Sequence, residues 1–340
     1  MRRFALSLCL LFICPAFVLA ADPLAAWQPE FDPSGAEYTY LLSCVGHPAI
    51  EGVSVGYRIR DRVWKESNGR LYVDYRPLSQ LGGEKDVLGK LKMGAVQGML
   101  SSSVAAPNIS PRLGLVNLPF LVGSFERLEQ FRNNQELFAG YGEEALKSGI
   151  RVVDFTGYGS YGWATREPVT TLAEAKEVTF RIAQAPVNVD LYKAWGLQFT
   201  VMPWPDVPQA LQTGVITGLD HTPIVCNISK KFTVAKNFTR IDYAQGLYIH
   251  LINERWLKKL PEDLRQLLLK VIAEESAHAR SLTEQQQQHE IEAAKAAGVS
   301  FHELSTADMN SLVELAEPVV QKWGEKIGLD YLNQVRSALK

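Results

Sequence analysis

The feature that most constrains the fold is a repeated alternation of short apolar runs with helical segments. Residues 38–43 predict a buried strand, 49–67 a helix and 70–75 a second strand. A short helix at 84–93 and a third strand at 96–100 follow. This order is typical of a parallel sheet with right-handed crossover connections, so the first part of the chain predicts an α/β lobe.

The same order returns after residue 155. Its strands and helices are predicted at 177–182, 187–195, 198–202, 206–213 and 215–219. A further apolar strand at 246–253 is expected to return to the first lobe, which would make a hinge of the connecting strands. We therefore predict an α/β fold of two lobes with a cleft between them. The lobes are predicted to comprise 36–155 plus 246–282, and 156–245 plus 283–340.

Helical composition then runs from Pro261 to Gly298 with little interruption. A single helix of about 37 residues would extend about 55 Å, longer than either lobe, so it is expected to lie along both. Two helices broken near Ser281 are the alternative. The glutamines at 285–288 predict a solvent-exposed face, and a final helical region covers 306–338.

Residues 1–21 have the pattern of a secretory signal peptide. Two arginines precede an uncharged apolar run, and the small residues around Ala20 and Ala21 fit a cleavage site after either one. The run is short for a membrane span and a charged residue soon follows it, which argues against a retained anchor. Export from a cell with two membranes would place the mature chain in the periplasm.

Charge, size and cysteine content narrow the class of protein. Removing the two arginines of the signal from 35 basic residues leaves 33 against 37 acidic residues, a net charge of −4. No basic stripe is visible, which argues against a nucleic-acid partner. The remaining chain of about 320 residues exceeds the usual size of a single core, in agreement with two lobes. Cys44 and Cys226 are compatible with a disulfide or with two buried thiols.

Catalytic and metal-binding motifs are scarce. The sequence has no His-Glu-x-x-His and no Cys-x-x-Cys, and its six histidines lack metal-ligand spacing. Neither an enzyme activity, nor a cofactor, nor a metal site is therefore predicted.

A series of short segments follows one order along nearly the whole mature chain. They are Gly-His-Pro at 46–48, Ser-Asn-Gly-Arg at 67–70, Ser-Gln-Leu-Gly-Gly-Glu at 79–84, Asn-Leu-Pro-Phe-Leu at 117–121, Phe-Arg-Ile at 180–182, Ala-Pro at 185–186, Met-Pro-Trp at 202–204, Ala-Leu-Gln-Thr-Gly-Val at 210–215 and Leu-Pro-Glu-Asp-Leu at 260–264. In order and spacing they resemble the solute-binding proteins of tripartite ATP-independent periplasmic (TRAP) transporters, the DctP-like family.

The resemblance implies a periplasmic binding protein with strands shared between two α/β lobes and one long helix spanning both. Such proteins bind organic acids in the cleft and deliver them to the small and large membrane subunits of the transporter, without changing the ligand. A binding protein of an ATP-driven importer is the rival, against which the segment at 79–84 and the long helix argue. A sensor that presents its ligand to a membrane receptor also stays open.

Arg181 is the first candidate for ligand binding. It ends a predicted buried strand with apolar neighbours, where an unpaired charge is costly. Its planar fork matches a carboxylate, and the carboxyl ends of parallel strands are where α/β ligand sites form. The resemblance implies an arginine at this position that holds the ligand carboxylate. An internal ion pair with a protein carboxylate is the alternative.

Trp204 and Glu84 follow from the same resemblance. Trp204 matches a position that often carries an aromatic residue against the ligand, although a core position is the alternative. Glu84 matches a carboxylate that accepts from a ligand hydroxyl, amine or water. It also lies where a negative charge favours the start of a helix.

The segment Asp220, His221 and Thr222 departs from the family pattern. Many members have an asparagine there that contacts the ligand carboxylate, and this chain has none. His221 or Thr222 is expected to donate in its place, unless these are structural residues. His47, after the first strand, is likewise either a donor to the ligand or a structural residue.

A second departure concerns residues 158–165, where many members carry another arginine. Here the segment is aromatic and small, with Tyr161 and Trp163 as candidate cleft residues. This favours a monocarboxylate with an apolar or aromatic body over a diacid. Ser102, in the serine run after the third strand, is a candidate hydroxyl donor or a loop residue.

Overall fold

A computed structural model describes residues 24–339 of the chain. The predicted signal peptide, 1–21, lies outside these residues. The described part of the N-terminal unit, residues 24–32, contains one 3₁₀ turn, Ala25–Trp27, in which Trp27 N–H donates to Leu24 O at 2.9 Å. A second compact unit begins at Pro33 and contains the elements described below.

The strands of this unit form a single sheet. They are β1 (Tyr38–Cys44), β2 (Leu71–Arg76), β3 (Gly98–Ser102), β4 (Ile150–Thr165), β5 (Thr179–Ile182), β6 (Gln198–Val201), β7 (Gly218–His221), β8 (Asn237–Asn253) and β9 (Ser300–Glu303). Their order is β2-β1-β3-β8-β4-β7-β5-β6, with β9 also paired to β8. Both ends of the sheet are parallel, β2-β1-β3 and β7-β5-β6, as the two α/β repeats predicted.

The helices connect and cover these strands. They are α1 (Glu51–Glu66), α2 (Glu84–Met93), α3 (Phe125–Asn133), α4 (Gln135–Lys147), α5 (Leu172–Lys176), α6 (Pro186–Ala194), α7 (Val207–Thr213), α8 (Pro223–Ile228), α9 (Glu254–Leu257), α10 (Glu262–Ala296), α11 (Thr306–Ile327) and α12 (Leu329–Ala338). Local sequence explains α2 well, because two acidic residues lie in its first turn and Gly94 ends it at φ 81°.

Two long antiparallel strands, β4 and β8, join the two parallel ends. The C-terminal part of β8 pairs with β3, while the C-terminal part of β4 pairs with β7. Between them the β4–β8 ladder shifts register, at Gly157/Gly159 and again at Ser160/Gly162. These shared strands confirm the two-lobed fold and place irregular backbone where a hinge would bend. The sequence predicted only the C-terminal part of β8 and did not predict β4.

The long helix is unbroken. α10 has 35 residues, so the alternative of two helices is wrong. Glu275 pairs with Arg58 and Arg62 of α1 at 3.0 and 2.7 Å. Further along, Gln286 accepts from the backbone N–H of residue 51 at 2.9 Å and donates to the carbonyl of residue 49 at 2.8 Å. Gln287 accepts from Ser160 N–H at 2.6 Å. The predicted solvent-exposed face is therefore wrong for these two half-buried glutamines.

Among residues 24–339 the core includes a larger and a smaller cluster of buried side chains. The larger one includes residues of α2, β3, α4 and the last part of β8, and it also contains Trp323 and Leu332 of the C-terminal helices. The smaller one surrounds Leu219 and Phe238 near β7 and the first part of β8. α11 also contacts α6, through Trp195 Nε1, which donates to Leu312 O at 2.9 Å. The lobe boundaries stay a prediction, including the assignment of 283–340 to the second lobe.

Cys44 and Cys226 are both buried and free, which confirms the reading as two thiols. Within the described residues, no helix is both long and apolar enough to span a bilayer. The same part of the chain contains no group of three or more side chains that could together hold a metal ion.

Candidate functional site

A cavity of ≈ 320 Å³ opens at the carboxyl ends of β1, β5 and β7. Eight of the predicted site residues line it: His47, Glu84, Ser102, Tyr161, Arg181, Trp204, Asp220 and His221. We call the lining residues between 45 and 104 the first wall and those between 181 and 231 the second wall. Tyr158, Tyr161 and Tyr248 line the cavity from the shared strands β4 and β8.

Arg181 lies in β5 with only 5% of its surface exposed. Its Nε and Nη2 donate to Met202 O at 3.2 and 2.9 Å, which fixes one edge of the guanidinium against backbone. Burial lowers the pKa of Arg181, and the Glu84 charge opposes that shift. Within residues 24–339 the guanidinium forms no ion pair, which argues against the alternative of an internal partner. Its other edge remains available to a ligand carboxylate.

Trp204 is half-buried, and two positively charged side chains lie near its ring. The Arg181 Cζ atom lies 5.4 Å from the ring centroid and Lys231 Nζ lies 4.9 Å from it. The ring centroid of His221 is also 4.9 Å away. Cations lie over indole faces because the ring quadrupole attracts them. Trp204 therefore lines the cavity beside two cations, and it also packs against the core cluster around Leu219 and Phe238.

Glu84 belongs to the first wall, at the start of α2. Ser102 N–H donates to Glu84 Oε1 at 2.7 Å, and Ser102 Oγ donates to Oε2 at 2.8 Å. Burial raises the pKa of Glu84, while the Ser102 hydrogen bonds and Arg181 oppose the shift. The Ser102 hydroxyl, predicted as a possible ligand donor, therefore already donates to Glu84.

The two cavity histidines are held in the same tautomer. His47 Nδ1 accepts from Ala49 N–H at 3.1 Å, and His221 Nδ1 accepts from Thr222 N–H at 3.0 Å. Burial lowers the pKa of both rings, His221 well below its usual value with help from Arg181. A neutral ring that accepts at Nδ1 carries its proton on Nε2. Each histidine is thus a neutral N–H donor rather than a cation.

Asp220 is the second carboxyl of the cavity. It ends β7 with 4% of its surface exposed, and its Oδ2 accepts from Asn188 Nδ2 at 3.0 Å and from Tyr243 OH at 2.8 Å. Burial raises the pKa of Asp220 to about 7, although these hydrogen bonds and Arg181 oppose the shift. The group therefore changes its charge close to neutral pH.

Trp163 and Thr222 do not line the cavity. Trp163 is fully buried against Phe180 and Trp195, at ring distances of 5.3 and 6.1 Å. Thr222 caps α8, and its Oγ1 donates to Tyr158 O at 2.6 Å. In place of the predicted ligand contacts, Trp163 packs in the core and Thr222 caps a helix.

Lys231, Lys230 and Asn188 line the cavity and were not predicted. Lys231 is 7% exposed, donates to Ser229 O at 3.0 Å and forms no ion pair in the part of the chain that is described. Burial lowers its pKa. Lys230 has a left-handed backbone, with φ 58°. A pair of lysines after a short helix carries no sequence pattern that marks a ligand site, so no signal was available.

Two glycine patterns that occur in enzymes lie in the wrong structural context here. Residues 52–56 match Gly-x-Ser-x-Gly, but they lie inside α1, where Ser54 Oγ donates to Glu51 O at 3.1 Å. Residues 157–162 match Gly-x-Gly-x-x-Gly, but they lie inside β4 instead of between a strand and a helix. Neither forms a nucleophile elbow or a phosphate loop.

Comparison with known proteins places this cavity in a family. The model of the bacterial extracellular solute-binding protein family 7, DctP, matches residues 55–326. The chain belongs to this family. Its members are solute-binding proteins of TRAP transporters, which confirms the resemblance seen in the sequence segments and decides against the family of ATP-driven importers.

Named relatives cover most of the DctP-family chain. The C4-dicarboxylate-binding periplasmic protein DctP of Rhodobacter capsulatus is 28% identical over 281 residues, 81% of this chain and 83% of the relative. The 2,3-diketo-L-gulonate-binding periplasmic protein YiaO of Escherichia coli (strain K12) is 25% identical over 250 residues, 71% and 74% of the two chains. Both relatives are periplasmic by name.

Solved structures show the same fold. A TRAP solute-binding protein from Shewanella oneidensis with bound succinate superposes with a TM-score of 0.83 at 21% identity, covering 89% of this chain and 99% of that one. A second, from Desulfovibrio salexigens with bound orotic acid, has a TM-score of 0.83 at 19% identity and covers 89% and 100%. At this identity the likeness supports the two-lobed fold alone.

Proposed function

We propose that this protein captures a small organic acid in the cavity and delivers it to the membrane subunits of a TRAP transporter. The observation that carries the proposal is Arg181, a buried guanidinium that lines the cavity without a protein carboxylate. A buried charge without a partner is unfavourable, and a planar fork with one free edge fits a carboxylate by two parallel hydrogen bonds.

The surroundings of Arg181 support an anionic ligand. Lys231 is a second buried cation on the same Trp204 ring, and the Nε2–H group of His221 adds a neutral donor. Relatives with this fold have succinate or orotic acid bound, both of which carry carboxylates.

The rest of the lining suggests the body of the acid. Apolar side chains come from both walls, and tyrosine and tryptophan rings complete the surface: Val45, Ile50, Leu78, Val104, Val225, Ile228, Tyr158, Tyr161, Tyr248 and Trp204. Such a lining favours an apolar or aromatic body over a fully hydroxylated one. We therefore propose a monocarboxylate of this kind as the first ligand class to test.

Capture requires the two walls to move relative to each other. The first wall follows β1 and β3, the second follows β5 and β7, and only β4 and β8 run through both ends of the sheet. Bending at the irregular stretch 157–162 would open and close the cavity. We propose that the signal peptide is cleaved and that closure occurs in the periplasm, where the closed form docks on the membrane subunits.

A thermal-shift screen of the mature protein tests the function. The panel contains aliphatic, keto, hydroxy, aromatic and dicarboxylic acids, with neutral sugars as controls. A ligand at 100 times its Kd stabilises a protein by about 2.7 kcal/mol, which raises Tm by several degrees. Stabilisation by acids alone is expected. Stabilisation by sugars alone, or by nothing in the panel, contradicts the proposal.

Two variants make the screen specific. Arg181→Met should remove stabilisation by every acid while the unliganded Tm changes little, because the two lost hydrogen bonds to Met202 O are offset by removal of a buried charge without an ion pair. Arg127→Met, at an exposed position of α3, is the matched control and should behave as wild type. Mass spectrometry of the recovered acid should show it unchanged. A chemically altered product would instead indicate an enzyme.

A further inference from the structure

Lys231 is a buried cation of the cavity that the protein's own contacts satisfy only in part. The preceding residue, Lys230, has a left-handed backbone and an exposed side chain, whereas Lys231 is 7% exposed. Lys231 lines the cavity, with Nζ 4.9 Å from the centroid of the Trp204 ring. Burying an ammonium group is costly unless partners replace its water. The contacts of Nζ therefore decide whether the site is complete without a ligand.

The protein uses one of the three N–H donors of this ammonium group. Nζ donates to Ser229 O at 3.0 Å, at the residue that ends α8. Among residues 24–339, Nζ has no other hydrogen-bond partner and no ion pair. The Trp204 ring stabilises the positive charge but takes up none of the remaining donors. Since an ammonium group has three donors and no acceptor, two donors are left for the cavity.

Arg181 and Lys231 lie beside the same ring, so one small ligand can contact both. Arg181 Cζ is 5.4 Å from the Trp204 centroid, and its Nε and Nη2 are held by Met202 O. The free edge of the guanidinium fits both oxygens of one carboxylate in the bidentate arrangement. Lys231 is then left for a different atom of the same ligand.

The charges already in the cavity decide between a second carboxylate and a neutral oxygen at Lys231. Among the described lining residues, Arg181 and Lys231 are the buried cations, while the exposed Lys230 is screened by solvent and salt. Glu84 accepts hydrogen bonds on both oxygens, and burial raises the pKa of Asp220 to about 7. Even with Asp220 protonated, Glu84 and one ligand carboxylate balance the two buried cations. A second ligand carboxylate would exceed them, which is unfavourable in a desolvated site.

We propose that Lys231 donates a hydrogen bond to a neutral oxygen, a carbonyl or a hydroxyl group, on the body of the acid whose carboxylate Arg181 holds. This inference rests on the proposed function and narrows its ligand to a monocarboxylate with an oxygen acceptor on an otherwise apolar or aromatic body. An unsubstituted acid of the same size displaces water from the Lys231 donors without replacing its hydrogen bonds.

Isothermal titration with acids of matched size tests the acceptor. Oxo acids are the probes, because a carbonyl group accepts hydrogen bonds and donates none. For an aliphatic body the set is 2-oxobutanoate, 3-oxobutanoate and butanoate, and for an aromatic body it is phenylpyruvate, 3-oxo-3-phenylpropanoate and 3-phenylpropanoate. At least one oxo acid should bind about 10-fold more tightly than the unsubstituted acid. Equal affinity across the set overturns the proposal.

Lys231→Met tests whether the ammonium group causes this preference. The variant should bind the preferred oxo acid about 10-fold more weakly and the unsubstituted acid with a clearly smaller loss, so that the two bind alike. Lys230→Met is the matched control and should keep the wild-type preference. A preference for the oxo acid that survives Lys231→Met contradicts the proposal. An equal loss for both acids also contradicts it, because Lys231 would then contact the carboxylate.

A second variant keeps the test decisive if Lys231→Met does not fold. Lys231→Gln retains an amide donor on a shorter, uncharged side chain, so it should reduce the preference for the oxo acid. An unchanged preference in this variant contradicts the proposal. If neither variant folds, the comparison of acids in the wild-type protein decides alone.

Failure of the two proposals gives different results. If no acid of the panel binds, or if Arg181→Met binds acids as well as wild type, the proposed function is wrong and the acceptor contact falls with it. If acids bind and depend on Arg181 but show no preference for an oxo group, only the acceptor contact is wrong.

Discussion

The first wall brings one carboxylate, Glu84, and one neutral ring, His47, to the cavity, whereas the second wall brings three cations besides the Asp220 carboxyl group and the neutral His221 ring. Of these cations, Arg181 and Lys231 are buried and Lys230 is exposed. Glu84 is already engaged with Ser102, while the buried cations form no ion pair among residues 24–339. An anion should therefore bind to the second wall first, and the first wall should close over it.

The largest expected loss of ligand affinity comes from removing a cation of the second wall. Arg181→Met should weaken acid binding by about 2–5 kcal/mol, because a desolvated carboxylate loses its bidentate partner. Glu84→Gln, at the first wall, should change binding by less than about 1 kcal/mol, since an amide can still contact Ser102. Isothermal titration measures both. Similar losses in the two variants would show that the walls contribute equally.

A smaller effect on affinity is expected at the second cation. Lys231→Met keeps the side-chain length next to Trp204 but removes the charge, so binding should weaken by about 1–2 kcal/mol. The loss should shrink little with added salt, because the ammonium is buried. Lys230→Met, at the exposed neighbour, is the matched control and should lose less, with a stronger salt dependence. The reverse ranking would mean that long-range attraction dominates.

The carboxyl group of the second wall, Asp220, should also make the stability of the protein depend on pH. Burial raises the pKa of Asp220 to about 7, above its usual value near 4. Between these values the folded protein holds a proton that the unfolded chain has lost, so this group makes stability fall as pH rises toward 7. Asp220→Asn removes that dependence.

Relative to wild type, Asp220→Asn should gain up to roughly 1.4 kcal/mol for each pH unit between 5 and 7. Urea unfolding of the unliganded proteins at pH 5, 6, 7 and 8 measures the difference. Parallel curves for the two proteins would mean that Asp220 stays ionised throughout.

The smallest effect is expected away from both walls. Gln286→Ala removes two hydrogen bonds to backbone groups at 49 and 51, beside the first wall, and should cost about 1–2 kcal/mol of stability. Gln285→Ala, at an exposed position on the same helix, is the control and should be neutral. Urea unfolding compares them, and equal stability would show that this contact adds nothing.

Local signals predicted most of the elements. α2 was predicted with its observed bounds, because acidic residues begin it and a glycine ends it. β4 was missed for a physical reason. Asp154 interrupts its apolar pattern and is buried only because Arg132 and Arg280 pair with it, at 2.6 and 2.5 Å from distant helices. Such long-range partners leave no mark in the local sequence.

Residues of the candidate site were predicted where a sequence motif contains them. The prediction failed where tertiary packing determines whether a side chain reaches the cavity. Arg181 and Trp204 were found through their segments. Trp163 was predicted as a cleft residue together with Tyr161, and the two side chains do lie on the same face of β4. However, Trp163 lies two residues further along the strand, where its ring packs against Phe180 in the core. Position along the strand decided the outcome, and only the folded structure shows it.

The long helix has a consequence for how this chain can vary in length. Glu275 and Gln286 both meet α1, about three helical turns apart and therefore on one side of α10. Substitutions at the exposed positions between them leave that geometry intact. A single inserted or deleted residue would rotate one contact by about 100° away from α1. We expect the exposed positions between these two residues to tolerate changes of side chain, whereas the interval should not tolerate a change of residue number.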